Sequence, residues 1–511
     1  MAPRKAKTTC EFGDFQTPDE LASKALTVLK ETGLDPASVV ELTCGRGAFV
    51  IAADDAFPGA TILAGEVNEQ YVAYLKERIL KKKGSLDNIT ISNCNFFETD
   101  WSSEIEKLQE PLLITGNYPW VTSAALGAIQ SSNLPKKSNF HGYAGLDAIM
   151  GKSNFDISEW MILRNLDWLN GRHGAIAMLC KTSVARKILS HAWRNKLPVN
   201  RAAIYAIDAM ASFGAAVDAC FFVLEIAPEG HANDCAVFDS LDSRIPENKI
   251  GFHDGMMVSD VDGYLENRHL CGNDPHYVWR SGIKHDCSRI MELTYTGSEF
   301  LNGNDEEIDI EDSLLYPMLK SSDLGGKRKK ERKKYMIVTQ RSIGDSTSYI
   351  SESAPKTWSY LQENSSQLNA RASSIYKGKP EFSIFGVGDY TFMPWKVAIS
   401  GFYKNLEFKV VGPSDSGKPV VFDDTVYFLA CWSEEEAHLL HRLLMSKEAQ
   451  NLLSSMTFWN DKRPITVDLL KRLNLGKVAK QAGLEQEYMR HALGRSERNK
   501  QMTLSFSSAA E

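Results

Sequence analysis

Residues 39–49 read VVELTCGRGAF, and the fold can be worked out from this stretch. An apolar run ends in the acid Glu41, and a turn of small residues containing Gly45 and Gly47 follows. Glycine adopts positive φ at no steric cost and lets another group approach the backbone closely. The stretch therefore predicts a buried strand and a tight turn of the kind that begins an α/β domain.

Similar apolar runs recur through the first half of the chain and alternate with helix-like segments. The strand-like runs are 38–42, 60–66, 88–92, 111–115, 175–179 and 219–225, and amphipathic stretches such as 18–30 and 69–82 lie between several of them. This alternation predicts βαβ units and a Rossmann-like, doubly wound, mostly parallel sheet with helices on both faces.

The pattern changes near residues 228–240, after which turn residues multiply and strands become sporadic. We therefore predict an α/β catalytic domain over residues 1–230 and an α+β domain over residues 240–480. The polar tail over residues 496–511 is predicted to be flexible.

Two further strands of the predicted sheet end in polar residues. Residues 63–66 (LAGE) end in Glu66, and the third strand leads into Asn95 and Phe96. An acid at the end of the second strand can accept both ribose hydroxyls of an adenosine, and an amide beside a ring can bond the edge of an adenine. Each signal is weak alone, because glycines after a strand more often form only a tight turn. The glycines fit neither GxGxxG nor GxxxxGK[ST], so the three strand ends together predict a nucleoside cofactor without a pyrophosphate, with S-adenosylmethionine as the natural candidate.

Residues 114–120 (ITGNYPW) carry a second motif, in which an amide, two rings and a proline follow an apolar run. The competing interpretation is a turn at a strand end with two rings in a core. The segment resembles the [DNS]-P-P-[YFW] motif of amino-group methyltransferases. The order of the motifs, from residues 15–18 (FQTP) through the glycine turn to this segment and a large C-terminal region, is similar to that of the gamma class of DNA adenine-N6 methyltransferases.

This resemblance implies two sets of site residues. The implied catalytic residues are Asn117, Tyr118, Pro119, Trp120 and Phe213. The implied cofactor-binding residues are Thr17, Glu41, Thr43, Cys44, Gly45, Gly47, Glu66, Asn95 and Phe96. Two positions depart from the family pattern, which usually has proline where Tyr118 stands and commonly aspartate where Asn95 stands. A backbone carbonyl survives the first change, and an amide oxygen still accepts a hydrogen bond after the second.

The residue types of the second motif suit transfer to an amino group. An exocyclic amino group is a poor nucleophile because its lone pair is conjugated with the ring, and it needs acceptors for its two hydrogens. The Asn117 side-chain oxygen and the carbonyl of residue 118 can be those acceptors. Trp120 and Phe213 are predicted to sandwich the base, which must be flipped out of the duplex; a buried core phenylalanine is the competing interpretation of Phe213.

The C-terminal half is predicted to be a DNA target-recognition domain. Residues 277–284 and 385–396 mix cations with glycines and aromatics, and residues 327–334 hold seven cations and one glutamate. Residues 130–152 are predicted to form a loop over the DNA. The predicted DNA-binding residues are Lys136, Lys137, Lys152, Arg280, Lys284, Lys327 and Lys396. A mobile surface loop is the competing interpretation of residues 130–152, and a solvated loop or hinge is that of residues 327–334 (KRKKERKK).

Composition limits the class of protein. The net charge of −7 argues weakly against a protein that coats nucleic acid, although it averages over all faces. The nine cysteines show no paired CxxC spacing, and no apolar window approaches membrane-spanning length, so we predict a cytoplasmic protein with reduced thiols and no membrane contact. The spacing of Cys271, His276, His285 and Cys287 matches no standard zinc finger, so no metal is predicted.

The predicted function is methylation of adenine N6 in double-stranded DNA, within a restriction-modification or defence system. No convincing PD-(D/E)xK motif is present, so any restriction endonuclease would be a separate chain. The methyltransferase itself is predicted to be a monomer. Three alternatives stay open: an RNA or protein-glutamine methyltransferase, a cytosine-N4 methyltransferase, and a catalytically impaired relative that still binds DNA.

Overall fold

The computed structural model describes residues 15–121, 156–325 and 333–495. The chain divides into two compact units, Met1–Val261 and Asp262–Glu511. Among the described residues, no helix combines the length and the apolar character needed to cross a bilayer.

The first unit alternates helices and strands along most of its length. Its described helices are α1 (Asp19–Glu31), α2 (Ala48–Ala56), α3 (Glu69–Lys83), α4 (Trp101–Glu106), α5 (Ile157–Leu169), α6 (Thr182–Arg194) and α7 (Ala209–Phe213). Its described strands are β1 (Ser38–Glu41), β2 (Thr61–Glu66), β3 (Ile89–Asn93), β4 (Leu112–Asn117), β5 (Gly174–Lys181), β6 (Val199–Ile207), β7 (Ala219–Ile226), β8 (Asp234–Phe238), β9 (Asn248–His253) and β10 (Met256–Val258).

Within the described residues, these ten strands form one sheet in the order β10-β9-β8-β6-β7-β5-β4-β1-β2-β3. Strands β3, β2, β1, β4 and β5 are parallel to one another, and β7 is antiparallel to both β5 and β6. All six strands predicted from the sequence are present, and the predicted α/β class with a Rossmann-like, doubly wound sheet is confirmed. Strand β6 and strands β8–β10 were not predicted.

The central parallel strands are buried on both faces, whereas the edge strand β3 is only partly buried. Neighbouring residues on one strand point to opposite faces, and in β1 both Val39 and Val40 are buried. Val39 belongs to a core that also includes Leu26 of α1 and Phe49 of α2. Burial on both faces is typical of a parallel sheet covered by helices, and it explains the near-continuous apolar runs of the sequence.

The two turn glycines have the conformation that the sequence predicted. Gly45 has φ of 51° and Gly47 has φ of 82°, and Gly47 immediately precedes α2. A Cβ atom on Gly47 would come within 2.1 Å of Leu75 in α3, so this glycine lets α2 and α3 pack closely. Strands β8–β10 continue the first sheet through the pairing of β8 with β6, so the first unit extends beyond residue 230.

The second unit is α+β. Its described strands are β11 (Arg280–Ser281), β12 (Glu292–Tyr295), β13 (Phe300–Leu301), β14 (Glu307–Ile308), β15 (Leu315–Leu319), β16 (Lys333–Ile337), β17 (Trp395–Ser400), β18 (Lys409–Val411), β19 (Val421–Phe422) and β20 (Val426–Cys431). Its described α-helices are α8 (Val261–Asn267, which starts at the boundary), α9 (Ser288–Met291), α10 (Ser321–Gly325), α11 (Ile350–Ser353), α12 (Pro355–Glu363), α13 (Ser365–Asn369), α14 (Glu434–Leu444), α15 (Lys447–Ser455), α16 (Val467–Leu470), α17 (Leu475–Gln481) and α18 (485–495).

Two mainly antiparallel sheets organise this second unit. In the described residues, one has four strands in the order β11-β20-β17-β18, and the other has six in the order β14-β13-β12-β16-β15-β19. Most of the helices follow the last strand or lie between β16 and β17. The change from alternating elements to separate sheets and helices comes at the boundary between the units, after residue 261, and not at residues 228–240 where the sequence pattern changes.

Candidate active site

A cavity of about 570 Å³ opens at the carboxyl ends of β1, β2 and β4 in the first unit. In doubly wound folds, ligands bind at this edge of the sheet, and a volume of this size is that of an ordinary cofactor or ligand pocket. Eight of the nine predicted cofactor-binding residues line it: Thr17, Glu41, Thr43, Cys44, Gly45, Glu66, Asn95 and Phe96. Gly47 is not among the lining residues, since its role is in helix packing.

The glycine turn is fixed against neighbouring segments. The Gly45 N–H donates to Glu66 Oε2 at 2.8 Å, and the Arg46 N–H donates to Gln16 Oε1 at 3.0 Å. A Cβ atom on Gly45 would come within 2.8 Å of Gln16 Oε1, and its φ is also one that side chains rarely adopt. The backbone at residue 45 therefore forms part of the cavity wall where a side chain would not fit.

Glu66 lies at the end of β2 with both carboxylate oxygens already oriented. Oε2 accepts from the Gly45 N–H, and Oε1 accepts from the Asn68 N–H at 2.8 Å. A carboxylate offers about four acceptor sites in all, and Glu66 lines the cavity from the end of β2. This arrangement fits the ribose of an adenosine group. Asn95 is oriented too, because its Oδ1 accepts from the Phe97 N–H at 3.0 Å.

Glu41 is a buried acid, with 3% of its surface exposed. Its Oε2 has no hydrogen-bond partner among the described residues, and the same is true of Thr43 Oγ1 and Asn117 Oδ1, which belong to the same cavity wall. Burial, together with the nearby Glu66 carboxylate, raises the pKa of Glu41 well above its usual range. Buried polar oxygens without partners are costly, so these atoms fit a ligand that carries donors and a positive charge, as S-adenosylmethionine does.

The raised pKa of Glu41 predicts a pH-dependent stability of the cofactor-free protein. The folded chain holds this proton more tightly than the unfolded chain, so the stabilisation is present below the usual carboxyl pKa and is lost as pH rises through the raised value. The isosteric Glu41→Gln variant carries no such proton. We expect its thermal midpoint, relative to wild type, to increase as pH rises from 4.5 towards neutral and alkaline values. A difference in thermal midpoint between the two proteins that stays constant across that pH range would contradict the prediction.

Asn117 is the last residue of β4, and its amide is oriented by the segment before α1. Its Nδ2 donates to the Phe15 carbonyl at 3.4 Å and to Thr17 Oγ1 at 3.3 Å. With the nitrogen engaged, the unpartnered Oδ1 is the atom left to accept a hydrogen from a ligand. Gly116 has φ of 140°, and a Cβ atom there would come within 3.2 Å of Glu41 Cγ, so the chain before Asn117 runs close against the buried acid.

Tyr118 and Pro119 follow Asn117 but differ in position. Pro119 lines the cavity, whereas Tyr118 is buried behind it. The Tyr118 hydroxyl donates to Asn165 Oδ1 at 3.1 Å, and its ring packs edge-on against Phe96 with centroids 5.6 Å apart. Burial raises the pKa of Tyr118, so its phenol stays neutral. The buried, neutral phenol leaves the backbone carbonyl as the group that residue 118 can offer to a ligand, and the role of that carbonyl stays a prediction.

Trp120 and Phe213 do not form the predicted sandwich in this structure. Their ring centroids are 5.1 Å apart at an interplanar angle of 72°, so the rings touch each other edge to face and leave no gap of base thickness. Trp120 is 7% exposed, and its Nε1 donates to the Leu179 carbonyl at 3.4 Å. Apolar rings without a ligand between them gain by packing together. The fold brings the two rings together, but they contact each other directly and do not face each other across a gap.

Phe15 is a site residue that sequence reasoning missed. Its ring lies 6.1 Å from that of Trp120 and 6.4 Å from that of Phe213, and its carbonyl orients Asn117. The FQTP segment was recognised, but the spacing of 102 residues between Phe15 and Asn117 gave no signal that they meet.

The predicted DNA-binding residues have different outcomes. Lys136, Lys137, Lys152 and Lys327 lie outside the described residues. Arg280 is exposed, with its guanidinium 4.6 Å from the centroid of the Tyr390 ring, and Lys284 is half-buried, 3.6 Å from Asp286.

Lys396 requires a correction. Its side chain is only 1% exposed, and its Nζ donates to the carbonyls of Met393 at 2.7 Å and Val420 at 2.8 Å. Burial lowers the pKa of this ammonium group to about 7. Lys396 lies in the interior of the second unit, in the buried strand β17. It cannot contact a phosphate, because its Nζ is enclosed there and held by two backbone carbonyls.

The chain is similar to known proteins in sequence and in structure. No family model matches the chain. The Type II methyltransferase M.NspV from Nostoc sp. is 44% identical over 475 residues, which are 93% of this chain and 98% of that protein.

Two solved structures align with this chain to different extents. The Type IIL restriction-modification enzyme MmeI, solved in complex with DNA, aligns with 89% of this chain and 64% of its own, with a TM-score of 0.51 and 12% identity. A methyltransferase subunit of a type I restriction-modification system from Streptococcus thermophilus covers 44% of this chain and 47% of its own, with a TM-score of 0.29 and 15% identity. Three observations lead to the same family. They are the cavity at the strand ends, the oxygens in its wall that lack partners among the described residues, and the 44% identity to M.NspV over nearly the whole chain. The chain belongs to the Type II methyltransferases of restriction-modification systems and uses S-adenosylmethionine as its methyl donor.

Proposed function

We propose that the chain methylates the N6 amino group of an adenine that is flipped out of double-stranded DNA, at a specific sequence. The observation that carries this proposal is the Asn117 amide at the cavity wall. Its nitrogen is engaged by Phe15 and Thr17, and its buried Oδ1 has no partner among the residues that the structure describes. An acceptor held in one orientation without a partner suits a substrate amino group. The gamma-class order of motifs favours adenine N6 over cytosine N4.

The residues of the cavity have separate tasks in this proposal. Glu66 binds the ribose hydroxyls of the cofactor, Asn95 and Phe96 hold its adenine, and Glu41 and Thr43 face its charged amino acid end. The cofactor supplies an electrophilic methyl group on a sulfonium sulfur. These residues would hold the cofactor in the cavity whose wall also carries Asn117, without contributing to the bond change themselves.

Asn117 prepares the nucleophile. Its Oδ1 accepts one amino hydrogen and the Tyr118 carbonyl accepts the other, which lets the nitrogen pyramidalise and direct its lone pair at the methyl carbon. The nitrogen–carbon bond forms as the carbon–sulfur bond breaks, and the amino group then loses one proton to solvent. No strong base is needed beforehand, which agrees with the neutral amide at residue 117.

The base reaches this position only outside the helix stack, because Asn117 lies at a cavity wall and not on a protruding surface. Entry separates the ring contact of Trp120 with Phe213, and the rings of Phe15, Trp120 and Phe213 then provide apolar surface for the base. Rings that pack on one another in the absence of a base can exchange that contact for stacking on it.

The second unit selects the target sequence in this proposal, and the restriction endonuclease is a separate chain. Exposed Arg280 and half-buried Lys284 are the described candidates for DNA contact. The methyltransferase acts as a monomer.

Expression in a host without DNA methylation, followed by genome sequencing that reports modified bases, tests the proposal. We expect N6-methyladenine at one recurrent sequence, and none with the Asn117→Ala variant. N4-methylcytosine at a recurrent sequence would show that the target base is cytosine and would contradict the assignment of adenine. An unmodified genome, from a protein that binds S-adenosylmethionine, would reject DNA and direct attention to RNA or protein glutamine.

A further inference from the structure

Residues 118–120 are fixed by tertiary contacts and not by local stiffness. Tyr118 retains both backbone dihedrals, and Pro119 fixes its own φ and biases residue 118 towards extended geometry. The carbonyl of residue 118 therefore depends on the surrounding structure for its direction. Contacts from α5 and β5 supply that support.

The first contact comes from Asn165 in α5. Its Oδ1 accepts the Tyr118 hydroxyl at 3.1 Å, and both side chains are buried. Asn165 Nδ2 has no hydrogen-bond partner among the described residues. A buried amide nitrogen without a partner in an apolar helix face reduces stability. The contact that Asn165 does make is the hydrogen bond that holds the Tyr118 hydroxyl.

The second contact is made by Lys181 at the end of β5. Its Nζ donates to the Trp120 carbonyl at 3.2 Å and to Asp156 Oδ2 at 2.5 Å. Asp156 is in turn fixed, because its Oδ1 accepts from the Ser158 N–H at 3.1 Å at the start of α5. The indole of Trp120 donates to the Leu179 carbonyl, so β5 holds both the side chain and the backbone of this residue.

The contacts act on both sides of the carbonyl of residue 118. Leu179 lies opposite Asn117 in the parallel pairing of β4 and β5, so Lys181 reaches over the end of β4 to the segment that follows. The Ile157 N–H also donates to the Val121 carbonyl at 2.9 Å, which ties the same segment to α5. Residues 118–121 are thereby held at the Tyr118 hydroxyl, the Trp120 carbonyl and the Val121 carbonyl.

We propose that Asn165 and the Lys181–Asp156 ion pair are positioning residues that hold the backbone of residues 118–120, so that the carbonyl of residue 118 and the amide of Asn117 act together on the substrate amino group. This inference rests on the proposed function, because it assigns Asn117 and residue 118 as the acceptors. Lys181, Asp156 and Asn165 do not touch the reacting atoms. They act through the segment that does.

Lys181→Met is the test variant, because it keeps the length of the side chain and removes its charge and donors. A displacement of about 1 Å at a reacting centre costs on the order of 100-fold in rate. We expect kcat for methyl transfer to unmethylated genomic DNA to fall roughly 10- to 100-fold. The KM for S-adenosylmethionine should stay within about twofold of wild type, since none of the cofactor-side contacts involves Lys181.

Lys187→Met is the matched control. Lys187 lies in α6, and its Nζ is 2.6 Å from Glu159 Oε2 in the first turn of α5, so it too forms an ion pair with a buried acid at that end of α5. Glu159 at 9% exposure is as buried as Asp156 at 8%. Removing Lys187 leaves a comparable buried acid without its partner but breaks no contact with residues 118–120. We expect wild-type kcat from this variant, and recovery of most activity in Lys181→Arg, whose guanidinium can donate to both acceptors.

Thermal unfolding and cofactor binding, measured on all variants, separate loss of fold from loss of positioning. Near-wild-type kcat in Lys181→Met overturns the inference, and so does an equal loss in Lys181→Met and Lys187→Met. The Asp156→Asn variant, which keeps the acceptor for Ser158, gives a second test and should lower kcat with unchanged KM for the cofactor. If Asn117→Ala were fully active, the proposed function itself would fail; if it is inactive while Lys181→Met is unaffected, only the positioning role fails.

Discussion

The Asn117→Ala variant is expected to lose methyl transfer almost completely, with kcat lowered by roughly 10²- to 10³-fold. Removing one preorganised hydrogen-bonding group that acts on the reacting atoms has an effect of this size in other enzymes. Asn117 Oδ1 has no hydrogen-bond partner among the described residues, so its removal breaks no hydrogen bond at that oxygen. The side chain gives up two long hydrogen bonds, to Phe15 and Thr17, and the fold should tolerate their loss.

The measurement is methyl incorporation into unmethylated DNA, with cofactor binding measured in parallel. Cofactor affinity should change little, because the predicted cofactor contacts are made by other residues. Asn88→Ala is a suitable control, since Asn88 Nδ2 also donates two hydrogen bonds, to Asp54 and the Ala60 carbonyl, but lies before β3 at the opposite edge of the sheet. Substantial activity in Asn117→Ala would mean that the amino group is activated by another residue.

The Glu66→Gln variant is expected to weaken S-adenosylmethionine binding by about 100-fold in Kd. Hydrogen bonds to a charged group each contribute about 1.5–3 kcal/mol, and replacing the carboxylate by an amide removes the charge for both predicted ribose contacts. The amide also has one oxygen where the carboxylate has two, so it cannot accept from both the Gly45 and the Asn68 N–H groups as Glu66 does. Cofactor binding and the shape of the glycine turn should therefore be lost together.

Isothermal titration with the cofactor measures this effect. Glu69→Gln is the matched control, because it removes one negative charge three residues away at an exposed position in the first turn of α3. We expect its Kd to be that of wild type. An unchanged Kd in Glu66→Gln would show that the ribose is bound elsewhere in the cavity.

Much of the first sheet could be predicted because its strands are buried on both faces. A strand covered on two sides must be apolar at consecutive positions. Five of the six predicted strands have that character, whereas the edge strand β3 alternates apolar and polar residues. Strand β6 was missed because its sequence, VNRAAIYAI, mixes alanines with a polar start. It is a strand because β7 and β8 pair with it on either side.

The candidate site divides in the same way. Glu41, Glu66 and Asn117 each stand at the end of a predicted strand, so the geometry of a parallel sheet brings them to one edge. Lys396 was assigned because it is a cation in a segment with several aromatic residues, and the structure buries it. A lysine in an aromatic-rich segment has the same composition whether it faces solvent or the interior, so the sequence could not distinguish the two.

The sequence by itself determined the α/β fold of the first unit, the glycine turn and the strand-end acids and amide, because these depend on local apolar patterning and on backbone conformations that favour glycine. Only the tertiary structure decided which buried oxygens lack partners, that Phe15 orients Asn117, and that Asn165 and Lys181 hold Tyr118 and Trp120. Those contacts join residues 47 to 102 positions apart. Their distances are set by how helices and strands pack, and no local pattern in the chain records them.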